Sequence, residues 1–208
     1  KKGTGYRLVE NILKINSFFS SDERQVEVII LSKNNAATSL RITNAINDLK
    51  LDIIRSAWTS GTNISNYLKA FKVDLFLSAD DNDVLNAIEN GVAAAKILHS
   101  NENIHNISNE QVRIAFDGDA VLFSEESELV YKNHGLDAFI EHEKLNKDNP
   151  LEMGPFAKLL LTIAKIQAKF PTDKSPIRTA LVTARSAPTH ERVIKTFNLW
   201  GVRVDEAF

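Results

Sequence analysis

The sequence predicts an α/β protein with a mainly parallel sheet flanked by helices. Three observations carry this. Short β-branched runs such as Val26–Leu31 alternate with segments of helical periodicity such as Ala36–Lys50. Each run ends in a polar loop that leads into the next helix. The segment VRIAFDGDAVLF, Val112–Phe123, carries apolar residues up to Asp117 and Asp119, which are separated only by Gly118. Strands of such sheets bind ligands at their carboxyl edge.

The elements follow in order. Gly3-Thr4-Gly5 lacks a preceding strand and a third glycine, so it reads as a lead-in and not a dinucleotide loop. Tyr6–Phe19 has helical spacing and ends at Ser20-Ser21-Asp22. Val26–Leu31, Leu51–Ile54 and Val73–Leu77 are expected strands. Ala36–Lys50 and Asn66–Phe71 are expected helices, as is the stretch from Asp81 to about His99, capped by Asp80 or Asp81. Ser100–Asn109 reads as a polar linker. Residues 124–175 are helical in pattern: Glu125–Asn133 with Ser124 as its cap, Leu136–Leu145, and Pro155–Phe170. Ile177–Val182 is a strand, Pro188–Leu199 a helix stopped by Gly201, and Val202–Val204 a further strand.

A weak internal repeat runs at an offset of 151 residues. Ile29-Ile30-Leu31-Ser32 meets Ala180-Leu181-Val182-Thr183; Ala36, Thr38, Arg41 and Asn47 meet Ala187, Thr189, Arg192 and Asn198. The reading divides the chain into an N-terminal α/β half, 1–110, a core formed by 111–123 and 176–208, and a helical insertion, 124–175. The N-terminal half then reads as a degenerate copy of the core unit.

Composition narrows the function. The 208 residues carry 25 basic and 27 acidic side chains, net charge −2, without the basic excess that nucleic-acid binding asks for. Absence of cysteine removes disulfides, thiolate metal sites and a cysteine nucleophile. No apolar run has the length of a membrane span, and Lys1-Lys2-Gly3 opens no signal-peptide core. The five histidines lack the spacing of a metal set. Trp58 and Trp200 read as core or interface residues.

Two readings of Asp117-Gly118-Asp119 stay open on spacing alone. Asp-Gly is a strong hairpin signal, which would leave two solvated acids. Alternatively the two carboxylates share a strand end and bind a divalent cation through oxygen. The extended blocks Phe116-Asp117-Gly118-Asp119-Ala120-Val121-Leu122-Phe123-Ser124 and Pro176-Ile177-Arg178-Thr179-Ala180-Leu181-Val182-Thr183-Ala184-Arg185-Ser186-Ala187, with His134-Gly135-Leu136-Asp137 between them, resemble the cytosolic 5′-nucleotidase type I family of the haloacid-dehalogenase superfamily. The resemblance covers about Tyr6 to Phe208.

That resemblance implies a HAD-like, Rossmannoid core with 124–175 as a small helical cap, although a plain packed subdomain stays open. It implies a cytoplasmic Mg²⁺-dependent hydrolase of nucleoside monophosphates, AMP first, working without nucleic acid or membrane partners; self-association is left open. Asp117 would be the nucleophile and Asp119 the acid and base, and both would hold the metal. Thr183, Ala184 and Arg185 would bind phosphate. Arg185 serves equally well as a holder of a structural carboxylate, and Phe156 is the candidate for nucleoside contact. The family's phosphate-neutralising lysine and last acidic pair would fall beyond Phe208, so the chain reads as a fragment. A non-catalytic nucleotide-binding or regulatory module is the alternative.

Overall fold

A computed structural model describes residues 2–98, 111–185 and 189–208. The expected linker Ser100–Asn109 and the start of the helix expected from Pro188 lie outside them. Two compact units make up the chain, Lys1–Val112 and Arg113–Phe208. The α/β expectation holds: short parallel strand pairs alternate with helices in both units.

The first unit opens with α1 (Tyr6–Lys14), extended by a 3₁₀ turn over Ile15–Phe18. Strand β1 (Ile29–Ser32) leads through Asn35, whose side chain caps Thr38 N at 2.9 Å, into α2 (Ala36–Asp48). Strand β2 (Arg55–Trp58) pairs with β1 in parallel. Leu51–Ile54, expected as that strand, is irregular, and the strand begins at Arg55. Lys50 adopts φ 50 and Leu51 N still bonds Ile46 O, so the chain is completing the end of α2 there.

Next come α3 (Ser65–Leu68), β3 (Phe76–Ser78), α4 (Asp81–Glu89) and β4 (Ala94–Lys96), with β3 and β4 parallel. Asp80 caps α4 through Asp83 N at 3.1 Å. The helix expected to reach His99 stops ten residues early: Asn90-Gly91 ends it, with Gly91 at φ 73. The apolar run Val92–Ala95 fits a buried strand as well as a helix face, and pairing with β3 decides in favour of the strand. Ile64, Leu68, Phe76, Val84, Ala87, Val92 and Ala94 form this unit's core, with Leu31 and Val73 packed on it.

The second unit is a three-stranded sheet in the order β5 (Val112–Asp117), β6 (Ile177–Val182), β7 (Glu206–Ala207). Strand β7 starts later than the expected Val202–Val204. Val202 N is bound to Phe197 O in the turn after the helix, and pairing begins only with Asp205 N on Thr179 O. After β5, Gly118–Leu122 forms one wide π-type turn. The hairpin reading fails, because the neighbour of β5 is β6.

Helix α5 (Glu126–Leu145) joins the two expected helices through a kink at Gly135, φ 82 and ψ −175. Ser124 does not cap it: Glu125 holds that position without a side-chain bond, and the Ser124 hydroxyl is buried with no partner among the described residues. Helix α6 (Ala157–Gln167) buries Leu159, Leu160, Ile163 and Ile166; α7 (His190–Trp200) buries Arg192, Val193, Thr196 and Phe197. Phe123 packs its ring against Phe197 at 5.5 Å and Trp200 at 5.8 Å. Backbone bonds tie the segment before α5 to the segment before α6. Ser124 N bonds Glu152 O, Gly154 N bonds Leu122 O, and Phe156 N bonds Val121 O. A Cβ on Gly154 would stand 2.3 Å from Phe123 O, so only glycine fits that crossing.

Candidate functional site

Apolar alternation puts Val112 and Phe116 of β5 in the core and carries the chain out to an exposed Asp117 at the strand end. Strand β6 does the same with Ile177, Thr179 and Leu181, and delivers Thr183 next to it. Gly118 is what lets the two loops touch. A Cβ there would meet Thr183 Oγ1 at 3.2 Å and Thr183 Cβ at 3.4 Å. The Asp-Gly-Asp turn and the Thr183 loop therefore lie back to back.

The turn itself is strained. Ala120 sits at φ 60, ψ 3, a left-handed conformation that side-chain-bearing residues rarely adopt. Asp119 directly precedes it. The Thr183 hydroxyl accepts from Arg185 N at 3.2 Å, which leaves its own proton for another acceptor. Thr183 N bonds Phe208 O at 2.9 Å. Ala184 is exposed beside it.

Arg185 turns inward. Its guanidinium forks onto Asp119, with Nε 2.9 Å from Oδ2 and Nη2 2.5 Å from Oδ1, and its Nη1 binds Glu143 Oε2. The Phe139 ring lies 5.3 Å from its Cζ. The side chain of Arg185 is 1% exposed, that of Glu143 1% and that of Asp119 23%. Of the two roles open to Arg185 in the sequence, the carboxylate-holding one matches this placement.

Glu143 is the centre of the cluster. It accepts from Ser127 Oγ at 2.7 Å and Arg192 Nη1 at 3.0 Å, and lies 3.3 Å from His142 Nδ1. Arg192 also donates through Nε to Asn149 O at 2.8 Å, and Glu126 stands 3.2 Å from His142 Nε2. Burial pushes the Glu143 carboxyl up. The Ser127 hydroxyl and the Arg185 and Arg192 charges outweigh burial and hold it below the ordinary glutamate value. For Arg185, burial opposes the charge, yet Asp119 and then Glu143 raise its affinity for the proton.

Of the residues expected at the site, the structure brings together Asp117, Asp119, Thr183, Ala184 and Arg185. Phe156 is half-buried at the start of α6, bound by its backbone to Val121 in the same turn. Sequence reasoning missed Ser127, Phe139, Glu143 and Arg192. Nothing local in the Glu141-His142-Glu143-Lys144 run sets its third residue apart, and the burial of Glu143 is a tertiary outcome. The only trace of Arg192 was its match to Arg41 in the repeat.

Among the described residues, no group of three or more His, Cys, Asp or Glu side chains is placed to hold a metal. Asp117 nonetheless offers an exposed carboxylate at the strand end. Mg²⁺ commonly takes one or two carboxylates, several waters and substrate phosphate, so this oxygen donor set fits it. Among the described residues, no helix is long and apolar enough to cross a membrane.

A family model described as 5′-nucleotidase matches residues 1–208. The human protein cytosolic 5′-nucleotidase 1B is 36% identical over 214 residues, which cover 99% of this chain and 35% of that protein. The chain thus spans about a third of the length of that relative. No solved structure matches.

Proposed function

Because the chain belongs to the 5′-nucleotidase family, we propose that it carries the reacting acids of a Mg²⁺-dependent hydrolase of nucleoside 5′-monophosphates, AMP among them. The observation that supports this most is the close approach of Gly118 to Thr183, which sets an exposed acid beside a hydroxyl with a free proton. That pairing suits a phosphoryl group with a nucleophile on one side and a donor on the other.

The chemistry is a double displacement. An Asp117 carboxylate oxygen attacks phosphorus while the bond from phosphorus to O5′ breaks. The electron pair goes to O5′, which takes a proton from Asp119, and the nucleoside leaves. Water then attacks the aspartyl-phosphate and gives a proton to the Asp119 carboxylate, and phosphate departs as Asp117 is regenerated. Thr183 and the Ala184 backbone bind phosphate oxygens, while Arg185 acts from behind Asp119. The Asp117 carboxylate and the Asp119 carbonyl would hold Mg²⁺, whose charge would offset that of the phosphoryl oxygens. Phe156 lies on the nucleoside side, and the insertion 124–175 excludes water as a cap. Residues 1–110 are a degenerate copy of the core unit. The working compartment is the cytosol.

The test is phosphate release from AMP by the full-length protein, with and without Mg²⁺. Asp117→Asn is expected to lower turnover by on the order of 10³-fold or more, and chelation of the metal to do the same. Equal rates for wild type and Asp117→Asn would leave a non-catalytic nucleotide-binding module as the reading.

A further inference from the structure

The acid–base residue of this reaction stands on a strained turn, and among the described residues a single side chain holds it. All hydrogen bonds of the Asp119 carboxylate go to Arg185. Arg185 is in turn fixed from behind by Glu143 of α5, and Glu143 by Ser127 and by Arg192 of α7. A planar guanidinium binding a carboxylate through two nitrogens fixes direction as well as distance. The Phe139 ring lies against the Arg185 guanidinium, while Ser127, His142 and Arg192 pack on Glu143 behind it.

We propose that Glu143 and Arg185 are positioning residues for Asp119: the buried Glu143–Arg185 pair aims the Asp119 carboxylate at the leaving oxygen, so that α5 of the insertion helps to set the chemical step. The inference rests on the proposed reading of Asp119 as acid and base. It goes beyond it by assigning Arg185 to the acid instead of to the phosphate, and by giving Glu143 a role in the rate. A residue that acts through the general acid has a signature that a merely structural residue lacks. Its loss weakens cleavage of leaving groups that need a proton and spares those that do not.

The experiment compares AMP with its analogue bearing sulfur in place of the bridging 5′ oxygen, whose thiolate leaves with little need of a proton. Single-turnover release from each is measured in the full-length protein for wild type, Glu143→Gln, Arg185→Lys and Asp119→Asn, with thermal melts for each. Glu143→Gln and Arg185→Lys are expected to slow nucleoside release from AMP about 10- to 100-fold. KM should stay within about twofold and thiol release within about threefold of wild type. If Glu143→Gln does not fold, Arg185→Lys, which keeps the charge and loses the fork, gives the answer. Equal slowing of both substrates, or a loss seen mainly in KM, overturns the positioning role. If Asp119→Asn shows the split between substrates and the other two do not, this inference fails alone. If Asp119→Asn shows no split, the acid–base reading beneath it fails.

Discussion

β1–α2–β2 and β6–α7–β7 are built alike and filled differently. Ile29 pairs with Arg55 and Ala180 with Glu206, so both strand pairs keep the same register at the 151-residue offset. The helix ends match too. Leu51 N bonds Ile46 O where Val202 N bonds Phe197 O, and Lys50 and Gly201 are both left-handed. Even the strand-end hydroxyls agree: Ser32 Oγ accepts from Asn34 N as Thr183 Oγ1 accepts from Arg185 N, each at 3.2 Å. The side chains beyond that frame diverge. Asn34 and Arg41 are exposed, whereas Arg185 and Arg192, at the matching positions, are buried in a cluster with Glu143 and Asp119. The same backbone arrangement therefore carries exposed side chains in one place and lines a buried charged cluster in the other. The difference comes from α5, which brings Glu143 against Arg185 and Arg192.

This contrast can be broken by paired substitutions. Arg192→Ala is expected to cost about 3–5 kcal/mol, because it strips a buried carboxylate of one partner. Arg41→Ala should stay within about 0.5 kcal/mol. Urea melts of the two variants check this, and equal costs would erase the contrast. Acid adds a sign. The Glu143 carboxyl is held below its ordinary value of 4.5. Its stabilising share is thus fully present above that pH and is lost as pH falls toward the folded value. Glu143→Gln should flatten this part of the acid-unfolding curve, and an unchanged slope would show that Glu143 contributes little.

Hydroxyl removal probes activity next. Thr183→Ala is expected to lower kcat/KM for AMP about 10- to 100-fold, the scale of one hydrogen bond to a charged group. Ser32→Ala should leave it within twofold of wild type, about the noise of such assays. A matching loss at Ser32 would bring the first unit into the reaction. The smallest effects belong to the helix ends. Gly201→Ala should lose about 1 kcal/mol through its left-handed backbone, and Lys50→Gly should gain about 0.5 kcal/mol by relieving the same strain. Thermal melts showing the same sign for both would mean that the two turns are not equivalent.

Local chemistry made much of this legible in advance. The β-branched runs, the cap at Asp80 and the stop at Gly201 act over a few residues, so their signals lie in adjacent letters of the sequence. That two acids stand at the end of an apolar strand was legible for the same reason. Strand limits were not. Leu51–Ile54, Val92–Lys96 and Val202–Val204 mix strand-forming residues with others, and only the partner strand decides which residues pair.

Tertiary structure alone settled the fate of charge. Glu143 and Arg192 carry ordinary surface letters, and whether a glutamate faces water or two arginines depends on helices tens of residues apart. The same holds for Arg185, whose alternatives of phosphate and carboxylate differ only in what stands opposite it. Sequence by itself thus determined the periodic framework and the presence of two acids at a strand end, because backbone preference and apolar alternation are short-range. The direction in which Asp119 points was decided by its ion pair with the buried Arg185, which forms only between elements the fold has already brought together.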